Sequence, residues 1–290
     1  MLCESEPVRI TSNFYRLGPV AIPSFLLDGE HPVMFDAGLY VLGEHYWRDI
    51  RRLMGERRPE YLFLSHVHFD HCGAAGFLKR VMPGLKIAAS GEADEILKKP
   101  SAVQLIKKFN AFALDGKAYF EPFFIDHVLA GGDAMQVSKD LTVQIIKTPG
   151  HTRDMLSFYI PEQKILLPSE AIGVSGLGDY IFSEFLTGYQ VYLDSLKKLA
   201  DYDVEVLALA HGAYCTGDEA RAYMRRAIEY TLRFREKIEG LLKMYGDDYE
   251  KITSVIKKEE YDPIEGDKQS EEAYLINLRA KINAVKKILN

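Results

Sequence analysis

Short apolar runs, rich in β-branched and aromatic residues, recur along the first 210 or so residues of the chain. Gly, Pro or Asp bounds most of them, which is typical of buried strands separated by turns. The fully apolar run at 61–64 is the clearest case. On this pattern we predict strands at 20–27, 32–35, 61–64, 86–89, near Phe123, and at 134–137, 142–146, 156–160, 164–167 and 204–210.

Between several of these runs, apolar residues recur every three or four positions, which is the period of one helical face. In the segment from Ser101 to Leu114, Ser101 can cap the start of such a helix. We predict helices at 43–54, after His71 to about Val81, and at 101–114 and 189–199. Helices that alternate with strands in this way indicate α/β layering.

The pattern changes at about Asp218, after which strand-like runs stop and the periodicity is helical to the end of the chain. We therefore divide the chain into an α/β domain at 1–217 and a helical extension at 218–290. The apolar side of the extension has to be covered by something. Either its helices and the helix at 101–114 roof the functional site, or the extension packs on a distant face or forms a dimer contact.

Composition narrows the class of protein. The chain of 290 residues is 47% hydrophobic and 27% charged, as in ordinary globular proteins. Its net charge of −6 and the lack of a basic stripe argue against a nucleic-acid partner. No run approaches the roughly 18 apolar residues of a membrane helix. The acidic N-terminus shows no signal peptide, and three distant cysteines do not suggest disulfides, so we expect a cytoplasmic protein.

Four potential metal ligands are concentrated in the segment from His66 to His71, which follows the run at 61–64. In an extended segment His66 and His68 point to the same side, because side chains alternate along a strand. Asp70 and His71 then fall in the turn that opens the next helix. One ion rarely takes four ligands from one short loop, so this spacing suggests two metal ions.

Three more candidate ligands, His151, Glu170 and His211, each follow a predicted strand. Strand ends are a common place for a site, because the scaffold is rigid there and the loop is open. We interpret Cys72 and Cys215 as small buried residues, since free cysteine behaves as a small hydrophobe. The other histidines are interpreted as surface residues: His31, His45 and His127.

Taken together, these motifs resemble the metallo-β-lactamase-fold hydrolase superfamily. The matching segments occur in the family order over about residues 10–215 and are Phe35-Asp36-Ala37-Gly38, His66-x-His68-x-Asp70-His71, Pro149-Gly150-His151-Thr152, Glu170 and Ala210-His211-Gly212. The resemblance implies an α/β (α+β) fold, a four-layer αβ/βα sandwich with its site along one edge of the two sheets, here with a helical C-terminal extension. The chain length, the helix at 101–114 and the tail most resemble the aminobenzoylacetyl-CoA thioesterases of alkylquinolone signal synthesis.

The resemblance also implies a ligand set for two divalent ions, which would be zinc, iron or manganese. One ion would be held by His66, His68 and His151. The other would be held by Asp70, His71 and His211. The family usually has Asp, commonly after Gly, where this chain has Ser169-Glu170. Glu170 is one methylene longer, so it either bridges both ions or binds one of them. Asp36 supports a ligand histidine or its loop, or else caps the turn before Gly38.

Two such ions lower the pKa of a shared water toward neutrality, which allows hydroxide to attack a carbonyl or phosphorus centre. Asp70 would orient the nucleophile and carry a proton to the leaving group. We therefore expect a dinuclear hydrolase of a small ester or thioester, with an acyl-CoA thioester first. The alternatives are a lactonase or glyoxalase-type glutathione thioesterase, a phosphodiesterase, or a metal-containing binding protein with little turnover. Three aromatic residues either line an acyl pocket or belong to the core: Tyr180, Phe182 and Phe185.

Overall fold

The computed structural model describes residues 6–112, 120–266 and 268–289. Over these residues the chain folds into two β-sheets packed face to face, with helices on the outer side of each sheet. This is the four-layer arrangement predicted for the chain, with its C-terminal helical extension. Residues 113–114 of the predicted helix at 101–114 lie outside the described residues.

The first sheet is built by the N-terminal half of the chain, and its strands lie side by side in chain order. Neighbours from β1 to β4 are antiparallel, and neighbours from β4 to β7 are parallel. Its strands are β1 (Val8–Arg9), β2 (Phe14–Leu17), β3 (Ser24–Leu27), β4 (Val33–Phe35), β5 (Tyr61–Phe63), β6 (Lys86–Ser90) and β7 (His127–Leu129).

The second sheet has the spatial order β15-β14-β11-β10-β9-β8. Since β10 is antiparallel to both β9 and β11, and β14 is parallel to β11, strands β9, β11 and β14 all run in one direction. Its strands are β8 (Ala134–Ser138), β9 (Leu141–Lys147), β10 (Leu156–Ile160), β11 (Ile165–Leu167), β14 (Val206–Ala208) and β15 (Tyr214–Thr216). A separate small ribbon pairs β12 (Val174–Ser175) with β13 (Ile181–Phe182).

Helices cover the outer faces of the two sheets. They are α1 (Gly43–Met54), α2 (Phe69–Cys72), α3 (Ala75–Val81), α4 (Gly91–Leu97), α5 (Pro100–Phe112), α6 (Tyr189–Ala200), α7 (Asp218–Tyr245), α8 (Tyr249–Glu260) and α9 (Glu271–Leu289). Single 3₁₀ turns are formed by Tyr40–Leu42, Pro161–Gln163 and Ser169–Ile172. No helix of the described residues is long and apolar enough to cross a membrane.

The buried strands show why the molecule has four layers. In β3, Phe25 and Leu27 pack between the two sheets, while Leu26 packs against the helices outside the first sheet. In β11, Ile165 lies between the sheets, and Leu166 packs against the helices outside the second sheet. Because side chains alternate along a strand, an all-apolar strand must be covered on both faces.

The C-terminal helices bury their apolar sides in the same core as α6. Along α7 the buried residues recur every three or four positions, among them Tyr223, Ala227 and Phe234. Helices α7 and α9 both contact α6. The predicted boundary at 217/218 coincides with the start of α7. The extension therefore forms part of the helical layer on the second sheet together with α6. Its division from residues 1–217 as a domain stays a prediction.

Three predicted elements differ from the structure. No strand forms near Phe123, which follows a proline and turns its ring into the core; the chain joins the first sheet only at His127. The predicted strand at 20–27 begins at Ser24, because Pro19 and Pro23 bracket a turn. The predicted helix after His71 is interrupted between α2 and α3 at 73–74.

Candidate metal centre

Strand direction brings the predicted ligands to one edge of the sandwich. In the first sheet, Asp36 follows β4 and His66 follows β5, and these strands are parallel. In the second sheet, the codirectional strands β9, β11 and β14 lead to His151, Glu170 and His211. The carboxyl ends of codirectional strands meet at the same edge of a sheet, where loops can converge on a ligand.

The candidate ligand atoms form two adjacent groups. Within each group, all of these atoms lie within 4.8 Å of one another. The first group, called here the three-histidine group, is His66, His68 and His151. The second, called here the mixed group, is Asp70, His71, Glu170 and His211.

In the three-histidine group, each ring presents a nitrogen to the others. His68 Nδ1 lies 3.1 Å from His151 Nε2. The other nitrogen of His151, Nδ1, donates a hydrogen bond to the Glu184 carbonyl oxygen at 3.0 Å. His66 Nε2 is buried and has no hydrogen-bond partner among the described residues. A buried polar atom without a partner is costly and calls for an explanation.

Glu170 lies at the centre of the mixed group. Its Oε1 is 2.8 Å from His71 Nε2 and 3.2 Å from His211 Nε2. Asp70 Oδ2 is 3.5 Å from the same nitrogen of His211. His211 also donates from Nδ1 to the carbonyl oxygen of Ala21 at 3.1 Å, which fixes its ring.

The carboxylate of Glu170 also reaches the three-histidine group. Its Oε2 is 3.9 Å from His66 Nε2, and its Oε1 is 3.9 Å from His151 Nε2. The longer side chain of Glu therefore lies between the two groups, where a residue must be placed if it is to contact two ions.

Asp36 binds one ligand histidine and the loop that carries two others. Its Oδ2 accepts a hydrogen bond from His71 Nδ1 at 2.9 Å. The same oxygen accepts a bond from the Ser65 hydroxyl at 2.8 Å, and Oδ1 of Asp36 accepts one from the Ser65 amide at 2.7 Å. Since a carboxylate only accepts, His71 carries its proton on Nδ1, and this leaves Nε2 free for a metal ion when the ring is neutral.

Two serines in contact with each other lie between Asp36 and Glu170. The hydroxyls of Ser65 and Ser169 are 3.0 Å apart, and Ser169 donates to Glu170 Oε2 at 2.6 Å. Ser169 has a φ of 51°, a left-handed conformation that is strained for a residue other than glycine. This strained turn points the Glu170 side chain into the site.

Burial and charge set the pKa values of the two groups in opposite directions. In the three-histidine group, burial lowers the pKa of all three imidazoles, that of His68 to about 4. Burial also opposes charge on His71 and His211, but the nearby carboxylates outweigh it and raise both pKa values, in each case with Glu170 the main source. In turn, the histidines hold the pKa of the Glu170 carboxyl well below its usual range despite its burial. At neutral pH the three-histidine group is therefore neutral, whereas in the metal-free protein the raised pKa values favour the charged form of His71 and His211 and the lowered pKa of Glu170 favours its carboxylate.

The donor atoms fit two divalent ions. A metal ion accounts for the unpartnered Nε2 of His66 and for the three neutral imidazoles that converge on each other. Imidazole with carboxylate suits zinc, iron and manganese. In His71, His151 and His211 the Nδ1–H donates to an oxygen, which is the usual way a ligand histidine is oriented.

The predicted aromatic substrate residues lie next to the C-terminal helices. Phe185 is fully buried and packs against Tyr192 and Phe234. The Tyr180 hydroxyl donates to Glu260, and the Phe182 ring lies 5.0 Å from the Tyr180 ring. Contact of these three residues with a substrate stays a prediction.

Of the histidines interpreted as surface residues, His31 and His127 are exposed, whereas His45 is mostly covered. The side chain of His45 is only 13% exposed and lies 3.6 Å from the Asp49 carboxylate, so the surface interpretation is wrong for it. None of the three belongs to a metal-ligand group of the described residues. Cys72 is completely buried, and Cys215 is half-buried.

Sequence reasoning missed several residues that hold the site together. Asp154 is buried, and its Oδ2 accepts the Val67 amide at 3.0 Å between the first two histidines. Its position three residues after His151 is a signal that could have been used. Ser65 and Glu184 gave no signal, because a main-chain carbonyl or a lone serine looks the same wherever it lies in a sequence.

Comparisons with known proteins agree with this geometry. The chain matches the family model described as "Metallo-beta-lactamase superfamily" over residues 17–211. It is 31% identical over 109 residues to "Glyoxylase B2" of Dictyostelium discoideum, a match that covers 38% of this chain and 34% of that protein. It is 28% identical over 165 residues to "Hydroxyacylglutathione hydrolase GloC" of Haemophilus influenzae, covering 56% of this chain and 73% of that protein.

Among solved structures, the fold is similar to that of the archaeal metallo-beta-lactamase superfamily protein ST1585 from Sulfolobus tokodaii. The TM-score is 0.61 at 17% identity, and the match covers 96% of this chain and 99% of the other. At this identity the likeness concerns the fold alone. The additional C-terminal helices are included in a match of that extent.

Proposed function

Since the chain belongs to the metallo-β-lactamase superfamily, we propose that it is a dinuclear metal-dependent hydrolase of a small ester or thioester, with an acyl-CoA thioester as the favoured substrate. The observation that carries this proposal is the pair of adjacent ligand groups with Glu170 between them. The three-histidine group would hold one ion, and the mixed group would hold the other.

When bound, two such ions supply Lewis-acid activation of water and of a substrate carbonyl oxygen. The residues of the chain orient the side chains that would hold the ions. Asp36 keeps the His71 proton on Nδ1, and the serine pair keeps the Glu170 carboxylate pointing into the site. The ring of His211 is fixed by its bond to Ala21.

We propose that Asp70 moves the proton during hydrolysis. Its carboxylate is half-buried, with 20% of the side chain exposed, so it faces both the mixed group and the solvent. It would accept a proton from the attacking water and return it to the leaving group. A leaving thiol has a pKa of about 8.5, so it departs as a thiolate with little help. Thioester cleavage therefore depends little on proton delivery to the leaving group, whereas the nitrogen of an amide must be protonated as it leaves.

The preference for acyl-CoA rests on the resemblance of chain length, of the helix at 101–114 and of the tail to the aminobenzoylacetyl-CoA thioesterases. A glutathione thioester is the second candidate, because one relative bears the name hydroxyacylglutathione hydrolase. Both substrates share the same bond and differ in the thiol that leaves. We propose that this site binds a small molecule rather than a nucleic acid or a membrane.

Metal content and hydrolysis test the proposal together. Protein made without chelators should contain close to two metal ions per chain by elemental analysis. It should hydrolyse acyl-CoA faster than glutathione thioesters, lactones or bis-nitrophenyl phosphate. His151→Ala should lower both metal content and turnover, and His127→Ala, which alters an exposed histidine, should change neither.

Two outcomes would refute the proposal. Metal content near zero after supplementation would remove the dinuclear site. Full metal content without turnover on any of the four substrate classes would favour a metal-containing binding protein. Faster turnover of the glutathione thioester would replace the first candidate substrate by the second.

A further inference from the structure

A buried ion pair joins the C-terminal helix to a segment beside the metal centre. The Lys281 ammonium of α9 donates to Glu184 Oε1 at 2.7 Å. The Lys281 side chain is 4% exposed and that of Glu184 is 13% exposed. Lysine is almost never this buried unless it is paired, and a buried pair adds little stability compared with apolar packing. The pair therefore calls for a reason other than stability.

The main chain of the same glutamate supplies that reason. The Glu184 carbonyl oxygen accepts the Nδ1–H of His151 at 3.0 Å, and the Nε2 of that ring faces His68 at 3.1 Å. One residue thus contacts the helical extension through its side chain and a candidate metal ligand through its backbone.

The other helices of the extension hold the same segment. The hydroxyl of Ser183 lies 3.0 Å from that of Thr231 in α7, and both residues are buried. The Tyr180 hydroxyl donates to Glu260 Oε1 of α8 at 2.5 Å. The three described helices after Gly217 therefore fix the segment to which His151 donates its hydrogen bond.

We propose that Lys281 is a positioning residue for the metal centre, which acts through Glu184 to fix the orientation of the His151 ring. This inference rests on the proposed function in treating His151 as a metal ligand. It makes the C-terminal extension a part of the site, although none of its residues belongs to either ligand group.

The loss of the pair should reach His151 through the backbone. Lys281→Met leaves the Glu184 carboxylate buried without its cation, which is strongly unfavourable. We expect residue 184 to shift toward water and to displace its carbonyl oxygen from His151. The His151 ring then loses its fixed acceptor. Removal of such an outer partner of a ligand histidine weakens metal binding by about 10–100-fold.

Two measurements on the full chain test the inference. In metal-free protein, ¹⁵N NMR of the histidines should show a slowly exchanging Nδ1 proton on His151, and Lys281→Met should make this proton exchange faster. In a chelator competition with Zn²⁺, Lys281→Met should weaken one of the two binding steps by about 10–100-fold. Lys281→Arg, which keeps the cation, should restore most of both signals.

Two further variants separate positioning from general stability. Ile282→Ala alters a fully buried apolar neighbour on the same helix; it should lower the melting temperature and leave metal affinity and the His151 signal unchanged. Glu184→Gln combined with Lys281→Met leaves no unpaired charge to draw residue 184 toward water; it should regain stability together with most of the metal affinity and the His151 signal, because the backbone carbonyl is unchanged. Wild-type affinity and an unchanged His151 proton in Lys281→Met would overturn the inference, as would an equal loss of affinity in Ile282→Ala. If the wild type binds no zinc, the proposed function fails, and the NMR measurement still decides whether Lys281 orients His151.

Discussion

Replacing Asp36 by Asn is expected to weaken metal binding at the mixed group, because the amide forces the proton of the neutral His71 ring from Nδ1 to Nε2. Asp36 has a φ of 57°, a left-handed conformation that Asn adopts readily, so the backbone can stay in place. The side-chain oxygen of Asn can still accept the hydrogen bond from the Ser65 main-chain N–H, which lies 2.7 Å from Oδ1 of Asp36 in the wild type. Its NH₂ group then occupies the position of Oδ2 and faces His71 Nδ1 as a donor.

The neutral His71 ring can meet this donor only by moving its proton to Nε2. That nitrogen faces Glu170 at 2.8 Å and is the one that would bind the ion. The protein loses a hydrogen bond to a charged group, which contributes about 1.5–3 kcal/mol. A 10–100-fold loss of metal affinity corresponds to about 1.4–2.7 kcal/mol. The two figures agree, so we expect the affinity of one ion to fall by about 10–100-fold.

The assay is competition with a chelator, read for both binding steps, together with ¹⁵N NMR of the His71 ring in the metal-free protein, recorded at a pH above the raised pKa of His71 so that the ring is neutral. Asp154→Asn is the matched control. It neutralises the buried carboxylate of Asp154, which, like Asp36, accepts a hydrogen bond from a main-chain amide after β5. The amide oxygen can keep the acceptor role toward Val67, and the Asp154 side chain has no hydrogen bond to a described histidine. If Asp36→Asn binds both ions like the wild type and His71 keeps its proton on Nδ1, the tautomer argument is refuted.

Three further predictions follow from the same contacts. Because the pKa values of His71 and His211 are raised, the mixed group must release protons when an ion binds near neutral pH. Its affinity should rise with pH more steeply than that of the three-histidine group, and calorimetry in buffers of different ionisation enthalpy should show proton release in one step only. Glu170→Asp and Glu170→Gln should each reduce metal content from about two ions per chain toward one. The shorter Asp withdraws the carboxylate from both groups, and Gln removes its charge. Two ions per chain in both variants would contradict the placement of Glu170 between the groups. Truncation after Gly217 should leave no folded protein, as judged by near-ultraviolet circular dichroism, because each large apolar side chain lost from the core removes about 1.5–3 kcal/mol and a domain has only about 5–15 kcal/mol in total. The fully or nearly fully buried residues removed include Ile238, Ile252, Ile256, Leu278, Ile282 and Val285.

Local pattern predicted α/β layering, and the resemblance of the motifs implied the four-layer sandwich and the convergence of the candidate ligand histidines at one edge. An apolar run such as 61–64 has to be buried on both faces, and this already requires a layer on each side of its sheet. His66 and His151 each directly follow such a run or a strand with one buried face. The direction of the strands then determines that these ends share an edge. Short sequence segments at strand ends are therefore enough to indicate which residues form the site.

Elements that depend on a partner were less predictable. Phe123 lies in an apolar stretch, yet the strand forms at His127, where the backbone can pair with β6. The short strands β12 and β13 exist only because they pair with each other. A strand of two residues carries too little pattern to be recognised in a sequence.

The supports of the site were decided by the tertiary structure alone. The role of Lys281 depends on Glu184, which is 97 residues away, and on a backbone carbonyl that any residue at position 184 would provide. The two serines bring the loop after β5 into contact with a strained turn 104 residues further along the chain. Sequence determines which side chains can bind an ion, because ligand chemistry belongs to the residue type. Their orientation depends on hydrogen bonds between distant segments, and these become neighbours only when the two sheets and the C-terminal helices pack together.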